Sequence, residues 1–280
     1  MMELNHQKVL DILPDRAKDA HKGDFGKILL LCGSKGYTGA AYLAAMGALR
    51  CGAGLVFLGV PENIYAIEAV KLHEAIVFPL PDEGRRLSVM AISEILDRLP
   101  AMDAVLVGPG LGQSEGVFQV VKAVLQNAAC PVVLDADGIN VMVGHKDILR
   151  GRTQPTVLTP HGGEFARLGG DAQEDRQAAA EAMAKDLGCI VLLKGHHTVI
   201  TDGSTTYINP TGNPGMAVGG SGDVLAGMIT ALLGQGIDPL QAASCGAWLH
   251  GAAGDLCAEE MGQYGMLPSD MLNVLPRLLK

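Results

Sequence analysis

Aromatic residues are scarce in this sequence, at 4% with a single tryptophan, while glycine is abundant at 37 of 280 residues. That pairing disfavours a β-sandwich and favours a layered α/β protein with many tight loops. Basic residues are in deficit. The formal net charge of −9 argues against a nucleic-acid-binding surface. None of the six cysteines forms a CxxC pair, and most lie in apolar runs, as buried thiols do; a reducing, cytoplasmic setting fits better than secretion. No uninterrupted apolar run reaches membrane-spanning length. The opening MMELNHQKVLDILPDR lacks the apolar core of a signal peptide. The phosphate-binding fingerprints GxxxxGK[ST] and GxGxxG are also missing, which excludes an ordinary P-loop and a dinucleotide-binding Rossmann turn. There is no internal repeat, low-complexity segment or convincing linker.

What is present is a strand–turn–helix rhythm. After a polar lead-in with one short helical piece, KILLLCG (27–33) reads as a buried parallel strand, because strands covered on both faces are continuously apolar. Further strands are expected at 55–60, 75–80, 104–108, 131–137, 155–160, 189–195, 198–201 and 204–209, the last two as a hairpin. Helices are expected after 39, over 87–98, 117–125 and 171–187, and through most of the chain from Ser221 onward. The 280 residues, 48% of them apolar, can fill one large domain, and the alternation predicts three layers around a mainly parallel sheet. Ligands in such folds bind beyond the carboxyl ends of the strands. The loops there are unusual: GSKGYTG (33–39), GPGLG (108–112), TPHGGE (159–164) and KGHHT (194–198).

The densest stretch is NPTGNPGMAVGGSGDVLAG (209–227). Its GGSGD opens a helix, whose orphan N–H groups and small residues suit an anion such as phosphate. Ser221 can cap that helix or donate to phosphate oxygen. Asp223 beside an anion makes chemical sense as a base for an attacking hydroxyl. It is equally explained as a first-turn acid favoured by the helix dipole. Asp135 and Asp137 end a strand in LDADGIN; one can face a pocket while the other caps the next turn. His161 and Glu164, three apart, suit one helical face. Too few ligands accompany them for zinc, whereas Mg²⁺ held by a carboxylate through water is easier to accept. Lys194 can meet a phosphate, and His196 and His197 alternatively cover a surface turn.

Taken together, GSKGYTGAAYLAAMGALRCGAG, GPGLG, LDADGIN, TPHGGEF, LLKGHHTVI and NPTGNPGMAVGGSGDVLAGMI resemble, in order, the ADP- or ATP-dependent NAD(P)H-hydrate dehydratases of the ribokinase-like superfamily. The likeness runs from about residue 20 to the C-terminus. It implies a ribokinase-like three-layer α/β domain over 1–280. Many relatives carry an added epimerase domain for which this chain has no room, so the resemblance is to the stand-alone bacterial type.

The implied reaction is ADP-dependent dehydration of (6S)-NADHX and (6S)-NADPHX, restoring NADH and NADPH with release of AMP and phosphate. By resemblance, Asp223 is the catalytic base, and Gly220, Ser221 and Gly222 form the anion hole. Lys194, Gly195, His196, His197 and Thr198, with Gly222, contact the nucleotide. Ala40, Gly110 or Gly112, His161 and Asp223 line the hydrate pocket. His161-Gly-Gly-Glu164 stands where related kinases have Asn-x-x-Glu, leaving Glu164, with Asp135, on the Mg²⁺ side through water. Gly138, Val218 and Ser221 depart from the commonest family residues, and Ser221 keeps the hydroxyl. A homotetramer served by a separate hydrate epimerase is expected, with no nucleic-acid or membrane partner. The alternative is an ATP-dependent kinase of a thiazole or pyrimidine alcohol, which would release a stable phosphate ester; NPTGNPGMA before the glycines favours the dehydratases.

Overall fold

The computed structural model describes residues 4–280. Strands in chain order are β1 (Lys27–Leu31), β2 (Leu55–Pro61), β3 (Ile76–Leu80), β4 (Asp82–Glu83), β5 (Arg86–Leu87), β6 (Ala104–Val107), β7 (Val132–Leu134), β8 (Thr156–Leu158), β9 (Ile190–Leu193), β10 (Val199–Thr201) and β11 (Thr206–Ile208). The α-helices are α1 (His6–Ile12), α2 (Thr38–Arg50), α3 (Glu62–Lys71), α4 (Ile92–Arg98), α5 (Glu115–Asn127), α6 (Asp137–Asn140), α7 (Lys146–Arg150), α8 (Gly162–Arg167), α9 (Arg176–Leu187), α10 (Ser221–Gly234), α11 (Pro239–Met261) and α12 (Pro268–Val274). Nine strands form one sheet in the order β11-β10-β9-β8-β7-β6-β1-β2-β3. It is parallel from β9 to β3, and at one edge β10 runs antiparallel to both β9 and β11. This is the expected three-layer α/β architecture with a mainly parallel sheet and a terminal hairpin.

Alternation along β1 explains the two helical layers. Ile28 and Leu30 join one core with α2, α10 and α11, while Leu29 and Leu31 join the other with α5 and α9. In the first layer, α2 and α10 cross at backbone contact. A Cβ at Gly227 would lie 2.0 Å from Ala44 O, and one at Gly47 2.5 Å from Val224 O. This small-residue crossing sets Val224, in the first turn of α10, against Gly47 in the second half of α2. Among the described residues, no helix is long and apolar enough to cross a membrane.

Several local expectations are corrected. The helix expected over 87–98 is divided: Arg86 and Leu87 pair in a small hairpin with β4, Ser88 caps a short 3-10 turn, and the α-helix begins at Ile92. The helix expected from 171 begins at Arg176, because Asp175 accepts a hydrogen bond from Ala178 N. The strand expected to run to 137 ends at Leu134. Its apolar run stops there, and Ala136 (φ 49°) turns the chain into α6.

Candidate active site

The stretch from Asn209 to Gly220 has almost no regular structure of its own, so its shape comes from α11. Asp255 accepts hydrogen bonds from Gly212 N (2.9 Å) and Asn213 Nδ2 (3.0 Å). Asn209 donates to Ala247 O and Thr211 to Trp248 O. Gly251 lets the loop lie directly on the helix, since a Cβ there would sit 2.2 Å from Thr211 Oγ1. The loop then turns through Gly220 (φ 99°) into α10. Ser221 is the first residue of the helix, inside the cap position, and its hydroxyl lies 3.4 Å from His250 Nε2. His250 is buried, and that burial pushes its imidazole down to about 4, so it is neutral at pH 7.

Asp223 stands in the first turn of α10, yet no side chain caps that end of the helix. Its carboxylate accepts no hydrogen bond from the described residues and is not sealed from solvent. Burial, reinforced by Asp135, Asp137 and Glu164, pushes it up to about 6 despite the opposing pull of Lys194. The cation of this group is well fixed. Lys194 Nζ donates to Asp135 Oδ1 at 2.7 Å and lies 4.0 Å from Glu164 Oε2. Burial lowers the Lys194 ammonium, but Asp135, Glu164 and Asp223 outweigh it and the net shift is upward. A Cβ at Gly222 would come 3.2 Å from Lys194 Nζ, so the ammonium reaches the glycine-rich turn. Asp135 is further held by Thr159 Oγ1 at 2.7 Å.

On the far side of the cleft, two glycine-rich loops interlock. Gly33 N donates to Pro109 O at 2.7 Å, and Ser34 Oγ to Gly110 O at 2.7 Å. A Cβ at Gly110 would sit 2.8 Å from the Ala40 methyl. Gly112 N donates to Asp137 Oδ2 at 2.8 Å, which links this wall to the acidic group around Asp223. His161 caps α8: its Nδ1 accepts from Gly163 N, its own N–H donates to Glu164 Oε2, and its Nε2 lies 3.4 Å from Glu164 Oε1. Lys194 is bridged to the same segment through its N–H to Pro160 O. Gly195, His196 and His197 are exposed at the rim, with Thr198 Oγ1 closing the loop onto Gly195 O.

Hydrogen bonds and close contacts therefore connect the expected site residues into one group beyond the carboxyl ends of the strands, with the 195–198 loop exposed at its edge. Sequence reasoning passed over α11, although HGAAGD carries a readable signal. His250, Gly251, Gly254 and Asp255 fall on one side of a helix, and that side holds the loop. It also missed the backbone of Ala136, whose positive φ parts Asp135 from Asp137.

Among the described residues, no three His, Cys, Asp or Glu side chains converge as a metal cage. Asp135 Oδ1 is taken by Lys194 and Thr159, whereas its Oδ2 receives no hydrogen bond from the described residues. This donor set does not fit a directly caged metal. It does fit Mg²⁺ that arrives with a nucleotide and meets Asp135 and Glu164 through water.

A mainly parallel three-layer sheet, with a glycine-rich helix entrance and an open acid at its mouth, defines a ribokinase-like protein. Residues 28–277 match the family described as NAD(P)H-hydrate dehydratase, and the chain belongs to that family. It is 46% identical over 275 residues to the bifunctional NAD(P)H-hydrate repair enzyme Nnr of Moorella thermoacetica, covering 96% of this chain and 52% of that protein. It therefore spans about half the length of such bifunctional relatives. It is 38% identical over 274 residues to the ADP-dependent (S)-NAD(P)H-hydrate dehydratase of Bacillus subtilis, covering 96% of this chain and 94% of that one. A crystal structure of the Bacillus subtilis ADP/ATP-dependent NAD(P)H-hydrate dehydratase, co-crystallized with ATP/Mg²⁺, aligns with a TM-score of 0.85 at 35% identity, over 98% and 96% of the two chains. A hydroxyethylthiazole kinase from Pyrococcus horikoshii, at 17% identity with a TM-score of 0.64 over 90% and 88%, shares the fold alone.

Proposed function

We propose that the protein is an ADP-dependent lyase that dehydrates (6S)-NADHX and (6S)-NADPHX, returning NADH and NADPH with AMP and phosphate. The observation that carries this reading is Asp223: an unpartnered carboxylate, held near pH 6, at an uncapped glycine-rich helix entrance. The sequence relatives and the nucleotide-bound structural neighbour support it.

The turn Gly220–Ser221–Gly222 receives the terminal phosphate of ADP through the N–H groups of Gly220 and Gly222 and the Ser221 hydroxyl, the Ser221 N–H being taken by Val218 O at 3.3 Å; Lys194 lies beside them and the 195–198 loop along the rest of the nucleotide. The substrate ring is placed against Ala40, Gly110, Gly112 and His161. Asp223 takes the proton from the ring hydroxyl as its oxygen bonds to phosphorus and AMP leaves. Phosphate then departs with the carbon–oxygen bonding pair, and loss of a proton from the adjacent carbon restores the ring double bond. Mg²⁺, bound with the nucleotide near Asp135 and Glu164, supplies charge neutralisation.

We extend the reading to a cytoplasmic homotetramer working alongside a hydrate epimerase, with light scattering as the test of assembly. The reaction is tested by following NADH absorbance and inorganic phosphate together, with hydrated NADH and ADP supplied. Both rise in step if the reading holds. A stable phosphate ester without recovered NADH would instead make the protein a kinase of a small alcohol.

A further inference from the structure

The proposed reaction brings two polyanions into one cleft, a nucleoside diphosphate and a dinucleotide. Its interior gathers three carboxylates, Asp135, Glu164 and Asp223, around the ammonium of Lys194, with Asp137 as a further acid acting on Asp223. With Lys194 beside the nucleotide's phosphates, the dinucleotide's own phosphates need cations from elsewhere.

The β4–β5 hairpin offers them. Arginines in this chain are mostly tied down by their guanidinium groups, as Arg152 is to Leu125, Ala128 and Cys130 carbonyls and Arg176 to Leu193 and Lys194 carbonyls. Arg50, Arg85 and Arg86 make no side-chain hydrogen bond or ion pair among the described residues. Two of those three are neighbours in this hairpin. Arg86 is half-buried and lies against the substrate wall: a Cβ at Gly112 would sit 2.2 Å from its Nε. The acids closest to it in the hairpin do not neutralise it. Glu83 faces it across the strand pair without an ion pair, and Asp82 accepts from Asn63 N. Arg85 occupies the second position of a two-residue turn after Gly84, with φ 83° where a side chain is strained. Its carbonyl accepts from Lys35 N at 3.2 Å, which pins the turn to the loop that leads to Ala40.

We propose that Arg86, assisted by Arg85 and Lys35, is the subsite for the phosphate groups of the dinucleotide substrate. This rests on the function proposed above. Guanidinium groups bind phosphate oxygens in pairs, and a half-buried arginine without a protein partner is ready to do so. The subsite is separate from the glycine-rich turn that receives the nucleotide.

The test is steady-state kinetics of Arg86→Ala and of the Arg85→Ala, Arg86→Ala double variant. Arg50→Ala, at the opposite end of α2, serves as the remote control. The KM for hydrated NADH is expected to rise about tenfold in the single variant and further in the double, while the KM for ADP stays within about twofold. Arg86→Lys should recover part of the loss. Binding of NADH itself, followed by its fluorescence, should weaken by a similar factor without any turnover. An unchanged KM for hydrated NADH overturns the subsite, and an equal rise in the KM for ADP reassigns Arg86 to the nucleotide. If the wild type restores no NADH but Arg86→Ala still weakens NADH binding tenfold, the reaction reading fails and the subsite stands. If turnover is normal and neither constant moves, the reverse holds.

Discussion

Two helices begin in the same cleft, and they begin differently. At α8, the first-turn N–H groups are answered from within: Gly163 N donates to His161 Nδ1, and Glu164 turns back to the N–H of His161. At α10, no side chain caps the helix, Gly220 takes the left-handed turn, and the one acid in the first turn leaves the backbone donors alone. A helix end with its own cap has little left to offer a ligand. An end with orphan donors and glycines is suited to an anion. The difference also bears on why an acid stands at the proposed anion site. Asp223 contributes no hydrogen bond to the cap, so any gain to the helix comes through the dipole alone, and the rate of the Asn variant separates that from a role as base.

The largest effect should come from the open end. Asp223→Asn keeps the shape and removes the base, so turnover should fall by roughly 10²–10⁴-fold, measured as NADH recovery. A rate within about twofold of wild type would dismiss Asp223 as the base. The same variant carries a stability sign. The folded carboxyl is raised above its unfolded value, so its ionisation weakens the fold as pH rises from about 4 through about 6. The Asn variant should therefore be the more stable protein at pH 7, by about 1–2 kcal/mol allowing for solvent screening. That gap should close below pH 4.

Next in size is Lys194→Met, which leaves Asp135, Glu164 and Asp223 without their cation. We expect kcat/KM for ADP to fall roughly 10–100-fold, since a hydrogen bond to a charged group such as phosphate is worth about 1.5–3 kcal/mol. A sharper readout is the pH profile. In the wild type, kcat/KM should rise with pH through about 6 and flatten above it. Lys194 pulls the Asp223 carboxyl downward, so the rise should move to higher pH in the variant. A profile that stays in place would uncouple the two residues.

A smaller effect is expected behind the open end. His250 is neutral in the fold, with its proton affinity depressed to about 4. Its contribution is complete above pH 6.5 and is lost as pH falls from there towards 4, by up to about 3 kcal/mol. His250→Gln should lower activity modestly at pH 7 through Ser221. It should also flatten the acid side of the stability curve, read by denaturation at pH 5 and pH 7.

Much of this contrast was legible in the chain. The apolar runs gave the parallel strands because both sheet faces are covered, and the glycine-rich loops fell where strands end. GGSGD announced a helix entrance, and α10 begins at Ser221. Two features were hidden. One is the support from α11: HGAAGD marks one side of a helix, but the loop which that side holds lies some thirty to forty residues back, beyond any local period. The other is backbone geometry. Nothing in LDADG says that Ala136 takes a positive φ, so the two aspartates read as alternating positions on a strand. The β4–β5 hairpin was lost for a similar reason: two-residue strands show too little alternation to stand out from the helical pattern that follows.

The smallest expected effect lies at the closed end, and it separates two roles in one side chain. His161 supports α8 through Nδ1 and, in the proposed pose, faces the substrate ring. His161→Ala removes both. It should reduce stability by about 1 kcal/mol, the usual worth of a lost N-cap, and raise the KM for hydrated NADH. His161→Asn is the informative partner, because asparagine is among the best N-cap residues and its side-chain oxygen can accept from the same Gly163 N–H. Stability should return in the Asn variant, while the KM for hydrated NADH stays raised, since the imidazole is still gone. The thermal midpoint and the KM of both variants decide the matter. If the KM recovers together with stability, His161 acts only by shaping the start of α8, and the closed end of the cleft has no direct part in holding the substrate.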